Sequence, residues 1–280
     1  MKKAGVDCGL TCDKIYWIDE RGAECFLSSR VVRQSSLVSV LEHLGVRDIC
    51  IAGNGSREAF EKFRHHVWPG DPIQAELRLQ ARGAQHQMIC ATKPLETKHI
   101  VVGIGTGMSF TVVNGEGYDF PVGSPYSAGS IDGLLEMLDI ASGEAIDGLL
   151  EGKEHIPSYD LMLGEAVPSL RGTPYEQWVA ASFAKAARET TDDPITKLIR
   201  GAKSVIQHLA TDLASRLLLF ERIPEFRGIR DVVIVGTMPH KSNYVRATLE
   251  AMLRKIGKTP YFPPNADYAL AIGAYHAINP

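Results

Sequence analysis

The sequence predicts an α/β fold of two similar halves with a cleft between them. Three observations predict it. A strand–glycine–strand module opens the chain at Val6-Asp7-Cys8-Gly9-Leu10-Thr11-Cys12-Asp13-Lys14, and a second lies near the middle, over Lys98–Val113. A buried-type strand, Asp231–Val235, ends in a further glycine turn at Gly236-Thr237. Between these modules strand and helix patterns alternate, as they do where helices cover a sheet.

Each element follows from local pattern. Lys3–Val6, Lys14–Ile18 and Ala23–Ser28 read as short strands separated by turn residues. Leu37–Leu44 has helical spacing, and Asp48–Ala52 is a buried strand closed by Gly53-Asn54-Gly55. Ser56 is placed to cap a helix over Arg57–Val67. Trp68–Pro72 breaks the chain, and Ala75–Cys90 reads as a helix interrupted or bent near Gly83. This β-β-β-α-β-α order implies an antiparallel start and a later crossover. Ile100-Val101-Val102 suits a strand buried on both faces. Phe110–Val113 is its β-branched partner and ends at Asn114-Gly115, a hairpin signal. Ser127–Ile140 and Glu144–Leu150 are helical, and residues 151–175, polar and broken by Pro and Gly, read as a mobile connection. Pro174–Glu189 and Pro194–Phe220 read as long helices. In the second, Ala202, Val205, Ile206, Leu209, Leu213, Leu217 and Leu218 form one apolar stripe, the mark of core packing. A helix over Asn243–Ile256 capped by Gly257, a short strand at Tyr261-Phe262 and a helix over Ala266–Ile278, interrupted by Gly273, complete the chain.

Size and composition narrow the function. The 280 residues suit one large domain or two smaller ones, and 45% hydrophobic with 22% charged residues is ordinary for a soluble globular protein. A formal charge of −3 and a pI near 6.3 give no bulk electrostatic case for nucleic acid or an anionic membrane. No apolar run approaches the ~18 residues of a membrane span. Asp7 stands where a signal peptide needs its apolar core, so a cytoplasmic protein is expected. The five cysteines (Cys8, Cys12, Cys25, Cys50, Cys90) are odd in number and are expected as reduced thiols. Cys8 and Cys12 lack a second nearby Cys/His pair to complete a zinc site. His65 and His66, adjacent on the expected helix, do not share a face and read as a surface pair.

The glycine turns carry the chemistry. Glycine lets backbone approach a ligand and take up positive φ. Successive N–H groups can then form a nest for phosphate, with Thr106 and Ser109 adding hydroxyl donors. Asp7 sits at a strand end beside such a turn, where an acid can hold Mg²⁺ through water. Gly9 turns the chain, Thr11 offers a hydroxyl and Lys14 offers a cation for transferred phosphate.

Together these modules resemble the superfamily of acetate and sugar kinases, Hsp70 and actin. The resemblance narrows to the type II pantothenate kinases and runs nearly the full length. It is carried by GVDCGLTCDKI at the start, IQAELRLQARG from Ile73, VGIGTGMSF from Val102 and GSIDGLLEML from Gly129. WVAASFAKA from Trp178, DVVIVGTMPHKSNYVRATLEAML from Asp231 and YALAIGAYHA from Tyr268 complete it. The resemblance implies two actin-like (ribonuclease H-like) lobes, residues 1–97 and 98–280, around a nucleotide cleft, usually in a homodimer joined through a long helix; the Pro194–Phe220 stripe, larger than one lobe needs, is expected near or in that interface. It implies phosphorylation of pantothenate or a closely related small hydroxy-acid amide with ATP and Mg²⁺, the first step of coenzyme A synthesis. By position, Asp7, Gly9, Thr11 and Lys14 fall in the first phosphate loop, with Asp7 at the metal. Gly105, Thr106 and Gly107 fall in the second. Ala128, Gly129 and Ser130 fall on the Gly-rich nucleotide segment, and Gly236 and Thr237 near the adenosine. Glu76 falls on the carboxylate that takes the proton of the attacking hydroxyl.

The chain departs from this pattern in places. Leu10 replaces a glycine of the first loop, and the glycine run is reduced over residues 122–129. Phe120, in Tyr118-Asp119-Phe120-Pro121, replaces an Arg that contacts the acyl substrate. An aromatic has no hydrogen-bond fork. Either Arg78 or Arg82 supplies that charge beside Phe120, or the substrate differs, or turnover is weak or absent. Two other readings stay open. One is a degenerate kinase fold that binds nucleotide or acyl-CoA without turnover. The other is a dehydratase-activating ATPase, which would need cluster-ligating Cys thiolates, whereas Cys8 and Cys12 lie in the phosphate loop itself.

Overall fold

The computed structural model describes residues 2–9, 12–30, 34–53, 60–66, 71–91, 94–137, 145–173, 175–186, 188 and 191–278. β1 (Lys2–Cys8), β2 (Cys12–Ile18) and β3 (Glu24–Arg30) form an antiparallel meander. After α1 (Gln34–His43), β4 (Val46–Ala52) pairs with β1 in parallel, and β5 (Arg64–His66) pairs with β4 in parallel. The first sheet has the order β3-β2-β1-β4-β5. Alternate residues Ala4, Val6 and Cys8 of β1 and Ile49 and Ile51 of β4 pack with Leu37 and Leu41 of α1. Cys50 and Ala52 cover the opposite face of β4, which accounts for its continuous apolar run.

α2 (Pro72–Cys90) starts at Asp71, whose carboxylate accepts the N–H groups of Ile73 and Gln74 at 3.0 Å each. β6 (Lys98–Ile104) and β7 (Met108–Asn114) form the central hairpin, and β8 (Gly117–Asp119) returns on β7 through Gly115 at φ +58°. β9 (Gly123–Ser124) also pairs with β7. α3 (Ala128–Met137), α4 (Ala145–Leu150), β10 (Leu161–Met162), α5 (Leu163–Ala166), β11 (Val179–Ala181) and α6 (Pro194–Phe220) follow. β12 (Asp231–Val235), α7 (Thr237–Lys241), α8 (Asn243–Lys255), β13 (Thr259–Tyr261) and α9 (Ala269–Ala277) end the chain. The second sheet has the order β13-β12-β6-β7-β8.

The chain divides into two compact units. Unit 1 is Met1–Gly123, Val233–Thr237 and Phe262–Pro280; unit 2 is Ser124–Val232 and Met238–Tyr261. In unit 1, α9 lies against β1 and α2. Three glycines permit this. A Cβ on Gly5 would stand 1.9 Å from the Ala271 carbonyl oxygen, one on Gly83 1.8 Å from that of Ala269, and one on Gly273 1.8 Å from that of Leu79. α2 runs without interruption through Gly83 and α9 through Gly273, because these glycines serve helix packing.

Part of the expected helix over Arg57–Val67 is a strand, β5; residues 57–59 and 67 lie outside the described residues. Buried Asp48 of β4 holds it, paired with Arg64 and lying 3.1 Å from His66 Nε2. His65 and His66 thus project from opposite faces of a strand.

Unit 2 is built on α6. Ala202, Val205, Ile206, Leu209, Leu213 and Leu217 are fully buried within the chain, so the stripe is the core of this unit and gives no reason of its own for a dimer. Residues 151–173 are tied down rather than loose. Lys203 Nζ donates to the carbonyls of Lys153 and Ile156 at 2.6 and 2.7 Å, and Ser204 Oγ accepts the Tyr159 N–H at 2.9 Å. The helix expected over Pro174–Glu189 does not form; β11 and turns stand there, with residues 174, 187 and 189 outside the described residues. Fully buried Asp160 accepts the Phe183 N–H at 3.0 Å and holds Phe183 at φ +57°, outside the helical region.

Gly273→Ala should destabilise the protein by about 1–3 kcal/mol, because backbone and not a flexible side chain would have to give way. Gly148→Ala, on an exposed position of α4 with no atom within 4 Å of the added Cβ, should be neutral or stabilising by up to about 1 kcal/mol. Thermal unfolding of the two variants side by side checks the contrast; equal effects would contradict the packing.

Candidate active site

Three strand ends in unit 1 carry the site. The β1–β2 register sets Asp7 opposite Lys14 and Cys8 opposite Asp13. Cross-strand partners share a face, so the Asp7 carboxylate and the Lys14 ammonium are neighbours. Lys14 Nζ donates to Thr237 Oγ1 at 3.0 Å, which joins the first hairpin to the residue just past β12. Gly236 has φ +130°, gives its N–H to the Ala266 carbonyl at 3.1 Å, and leaves no room for a Cβ, which would lie 2.0 Å from the Ile104 oxygen. Only glycine lets the end of β12 close on the end of β6.

Beyond Ile104 the Gly105-Thr106-Gly107 turn is exposed, closed by a 3.0 Å bond from the Gly105 N–H to the Gly107 carbonyl. A Cβ on Gly105 would meet nothing nearer than 3.8 Å. The fold itself does not need glycine there, whereas a ligand lying against the backbone would. The expected positive φ is not found at Gly9, Gly105 or Gly107. Gly9 is required for another reason: its Cβ would stand 2.3 Å from the Cys12 oxygen. Leu10 and Thr11 lie outside the described residues.

The electrostatics centre on Asp7. Burial pushes its carboxyl up to about 7; Glu76 and Asp13 push the same way, against the Lys14 charge. Glu76 is half-buried on the N-terminal part of α2. Asp13 is fully buried; it received no role from the sequence, although an acid at an inward-facing strand position was the available signal. Among the described residues no three His, Cys, Asp or Glu side chains converge tightly enough to cage a metal. Mg²⁺ rarely needs such a cage, since one or two carboxylates, waters and phosphate oxygens suffice. Asp7, in an acid-rich surround, fits that role.

Farther along α2 lie Arg78 and Arg82. The Arg78 guanidinium stands 5.9 Å from the centre of the Phe120 ring. Burial raises the Tyr118 phenol, while Arg82 and Arg78 oppose the shift. Arg78, Arg82, Tyr118 and Phe120 are thus brought together; Tyr118 was not picked out from the sequence. Ala128, Gly129 and Ser130 open α3 in unit 2, with Ser130 Oγ donating to the Pro125 carbonyl at 2.9 Å. A groove of about 550 Å³ lined by Met88, Ile89, Leu95 and His99 includes none of these site residues. Among the described residues no helix is long and apolar enough to cross a membrane.

These strand-end turns on two mixed sheets define the actin-like ATPase and sugar-kinase fold, and solved structures with that fold bear this out. One is component A of (R)-2-hydroxyglutaryl-CoA dehydratase from Acidaminococcus fermentans, at 19% identity and TM-score 0.59 over 98% of this chain and 96% of that one. Another is a glucokinase of the ROK family from Streptomyces griseus, in complex with glucose and AMPPNP, at 13% identity and TM-score 0.55 over 98% of both chains. In sequence, the chain is similar to a type II pantothenate kinase of Bacillus cereus (strain G9842), 23% identical over 278 residues that cover 96% of each protein. No protein-family model matches the chain.

Folding raises the Asp7 pKa from an ordinary 3.8 to about 7. Between those values the folded protein holds a proton that the unfolded chain releases, so this group's contribution to stability falls as pH rises from about 4 through 7. Asp7→Asn removes the titration. The variant should gain thermal stability over wild type progressively between pH 4 and pH 8 without added metal. A difference that does not change with pH would contradict this.

Proposed function

We propose that the chain is an ATP-dependent small-molecule kinase acting on pantothenate or a closely related small hydroxy-acid amide, at the first step of coenzyme A synthesis. The observation that carries this reading is the placement of Glu76. It is a half-buried carboxylate within electrostatic reach of the strand-end Asp7, in a chain similar to a pantothenate kinase over almost its whole length.

Phosphoryl transfer is mostly positioning and charge neutralisation. Mg²⁺-ATP, when bound, supplies the γ-phosphoryl group. Asp7 is proposed to hold the metal through water. Gly9, Thr11, Lys14 and Gly105-Thr106-Gly107 would face the phosphates, and Gly236-Thr237 and Ala128-Gly129-Ser130 the rest of the nucleotide. Glu76 accepts the proton of the acceptor hydroxyl as its oxygen attacks, and Arg78 and Arg82 with Phe120 bind the remainder of the acceptor. The division into lobes at 97/98 belongs to the same reading. The first sheet is built from residues before it and the second from residues after it. A homodimer is proposed on the family resemblance, and a cytoplasmic location on the acid-containing start of the chain. Phe120 favours one alternative, a kinase fold that binds nucleotide or acyl-CoA without turnover.

Glu76→Gln keeps the shape and removes the base. With pantothenate as acceptor, turnover should fall by about 10²–10⁴ while nucleotide affinity stays nearly unchanged. Asp7→Asn should weaken metal-dependent nucleotide binding as well. An ATP-consumption assay with calorimetric nucleotide binding separates the two, and full turnover by Glu76→Gln would remove it as the base. Wild-type protein that binds ATP yet phosphorylates nothing offered would point to the non-catalytic alternative. For the dimer, sedimentation showing only monomer at roughly 10–100 μM would reject it.

A further inference from the structure

Unit 2 holds a serine–histidine pair that the proposed function does not use. Ser182 Oγ and His208 Nδ1 lie 2.6 Å apart, and both residues are half-buried, within reach of solvent. At that separation a histidine can take a hydroxyl proton as the oxygen attacks. Ser182 stands directly after β11, in the run Ala180-Ala181-Ser182-Phe183-Ala184. Phe183 follows it at φ +57°, a conformation that is costly for a bulky residue and is held here by the carboxylate of fully buried Asp160, 3.0 Å from the Phe183 N–H. A strand, a serine between small residues and a strained turn are the means by which a nucleophile elbow presents its hydroxyl.

The base is oriented as well. The Tyr126 ring meets the His208 ring at 74°, with 4.3 Å between centroids. Tyr126 is itself fixed twice: its phenol donates to the Val205 carbonyl at 3.0 Å, and its N–H to Ser124 Oγ at 3.2 Å. Ser124 Oγ donates in turn to Asp212 at 2.8 Å, and Asp212 lies one turn beyond His208 on α6. Burial raises the Tyr126 phenol, and Asp160 and Asp212 push the same way. Positive charge formed on His208 therefore arises against a ring that two carboxylates act on, and such charges favour the protonated imidazole.

We propose that Ser182 is a nucleophile with His208 as its general base, forming a second reactive centre that accepts acyl groups from activated esters. Ser182 Oγ attacks the ester carbonyl carbon and passes its proton to His208 Nδ1. The bond to the leaving oxygen breaks, that oxygen departs with the proton, and the acyl group stays on Ser182 until water releases it as a carboxylic acid. In a nucleophile elbow the N–H after the nucleophile helps to stabilise the oxyanion, and here Asp160 occupies it. The centre is thus matched to esters whose leaving groups need least help. The acyl-serine, an ester of an ordinary alcohol, breaks down more slowly than it forms. The step needs neither ATP nor the acids around Asp7, so it stands apart from the kinase reading.

The test treats full-length protein with p-nitrophenyl acetate, records nitrophenol release and maps acetylated peptides by mass spectrometry. Wild type should release about one nitrophenol per chain in a burst and carry the acetyl group on Ser182. Ser182→Ala should remove the burst. His208→Gln, which keeps a hydrogen-bonding group and removes the base, should slow Ser182 acetylation by about 10²–10⁴ at an unchanged unfolding temperature. Wild type unfolded in urea gives the same comparison without a variant: Ser182 should then react no faster than the chain's other serines. No acetylation of folded wild type, acetylation that bypasses Ser182, or a Ser182 rate unchanged by His208→Gln or by urea would each overturn the proposal.

Discussion

The backbone contact between α2 and α9 is the constraint on which the rest of the site depends. Gly83 and Gly273 face each other across these helices, and a Cβ on either would stand 1.8 Å from a carbonyl oxygen of the other helix. Helices that meet through side chains usually keep their axes about 8–10 Å apart; glycine contacts allow a closer approach. α9 is seated on β1 in the same manner through Gly5, where a Cβ would stand 1.9 Å from the Ala271 oxygen. Gln87 adds a 2.8 Å bond from its side-chain amide to the Asn265 carbonyl. β1 carries Asp7, and α2 carries Glu76 and Arg78. The separation of these groups is therefore set by backbone packed on backbone, well away from the groups themselves.

That geometry gathers charge. Glu76 and Asp13 both act on Asp7 near the end of β1, with the Lys14 ammonium opposing them. Desolvation and like charge both disfavour ionised Asp7, so without ligand the site sits in a state it would leave readily. A divalent cation reverses the local balance, and any ligand that binds only the folded form adds to its stability. Cation binding, in the proposed function, offsets the cost of holding these acids together. Lys14 is fixed by Thr237, 223 positions away in sequence, so the first hairpin and the end of β12 form one unit of structure around the carboxylates.

What could be read from the sequence was what local pattern determines. α6 begins and ends where its spacing and Pro194 place it, and the β6–β7 hairpin and Asp231–Val235 form as read. The failures share a cause, a distant partner that overrides local preference. Asp48 recruits Arg64 and His66 into a strand. Asp160 pins Phe183 and stops a helix. α9 packs on Gly83 and α2 on Gly273, so neither glycine interrupts its helix. In the site, Asp7, Lys14 and Gly236-Thr237 could be located because turn chemistry marks strand ends. Asp13 carried only the weaker mark of an acid at an inward-facing strand position, and its burial comes from the sheet that closes over it. Tyr118 meets Arg78 and Arg82 only through α2, from far away in sequence.

α2 joins two groups of contacts that the structure keeps separate. Toward β1, Glu76 acts on Asp7. Toward the β8 hairpin, Arg78 meets Phe120, and both arginines act on Tyr118. Side chains without shared partners change with nearly additive effects, whereas those in one cluster are coupled. A substitution at position 120 therefore perturbs Arg78 and Tyr118 before it perturbs Asp7. In the proposed reading the first group serves phosphate and proton chemistry and the second serves acceptor recognition. A chain only 23% identical to a pantothenate kinase can then alter the second group while the strand-end acids and glycine turns persist. Phe120 and Arg78 are the expected form of such a change: an aromatic where the family resemblance implies a guanidinium, and a guanidinium on the neighbouring helix with no acceptor for its buried N–H.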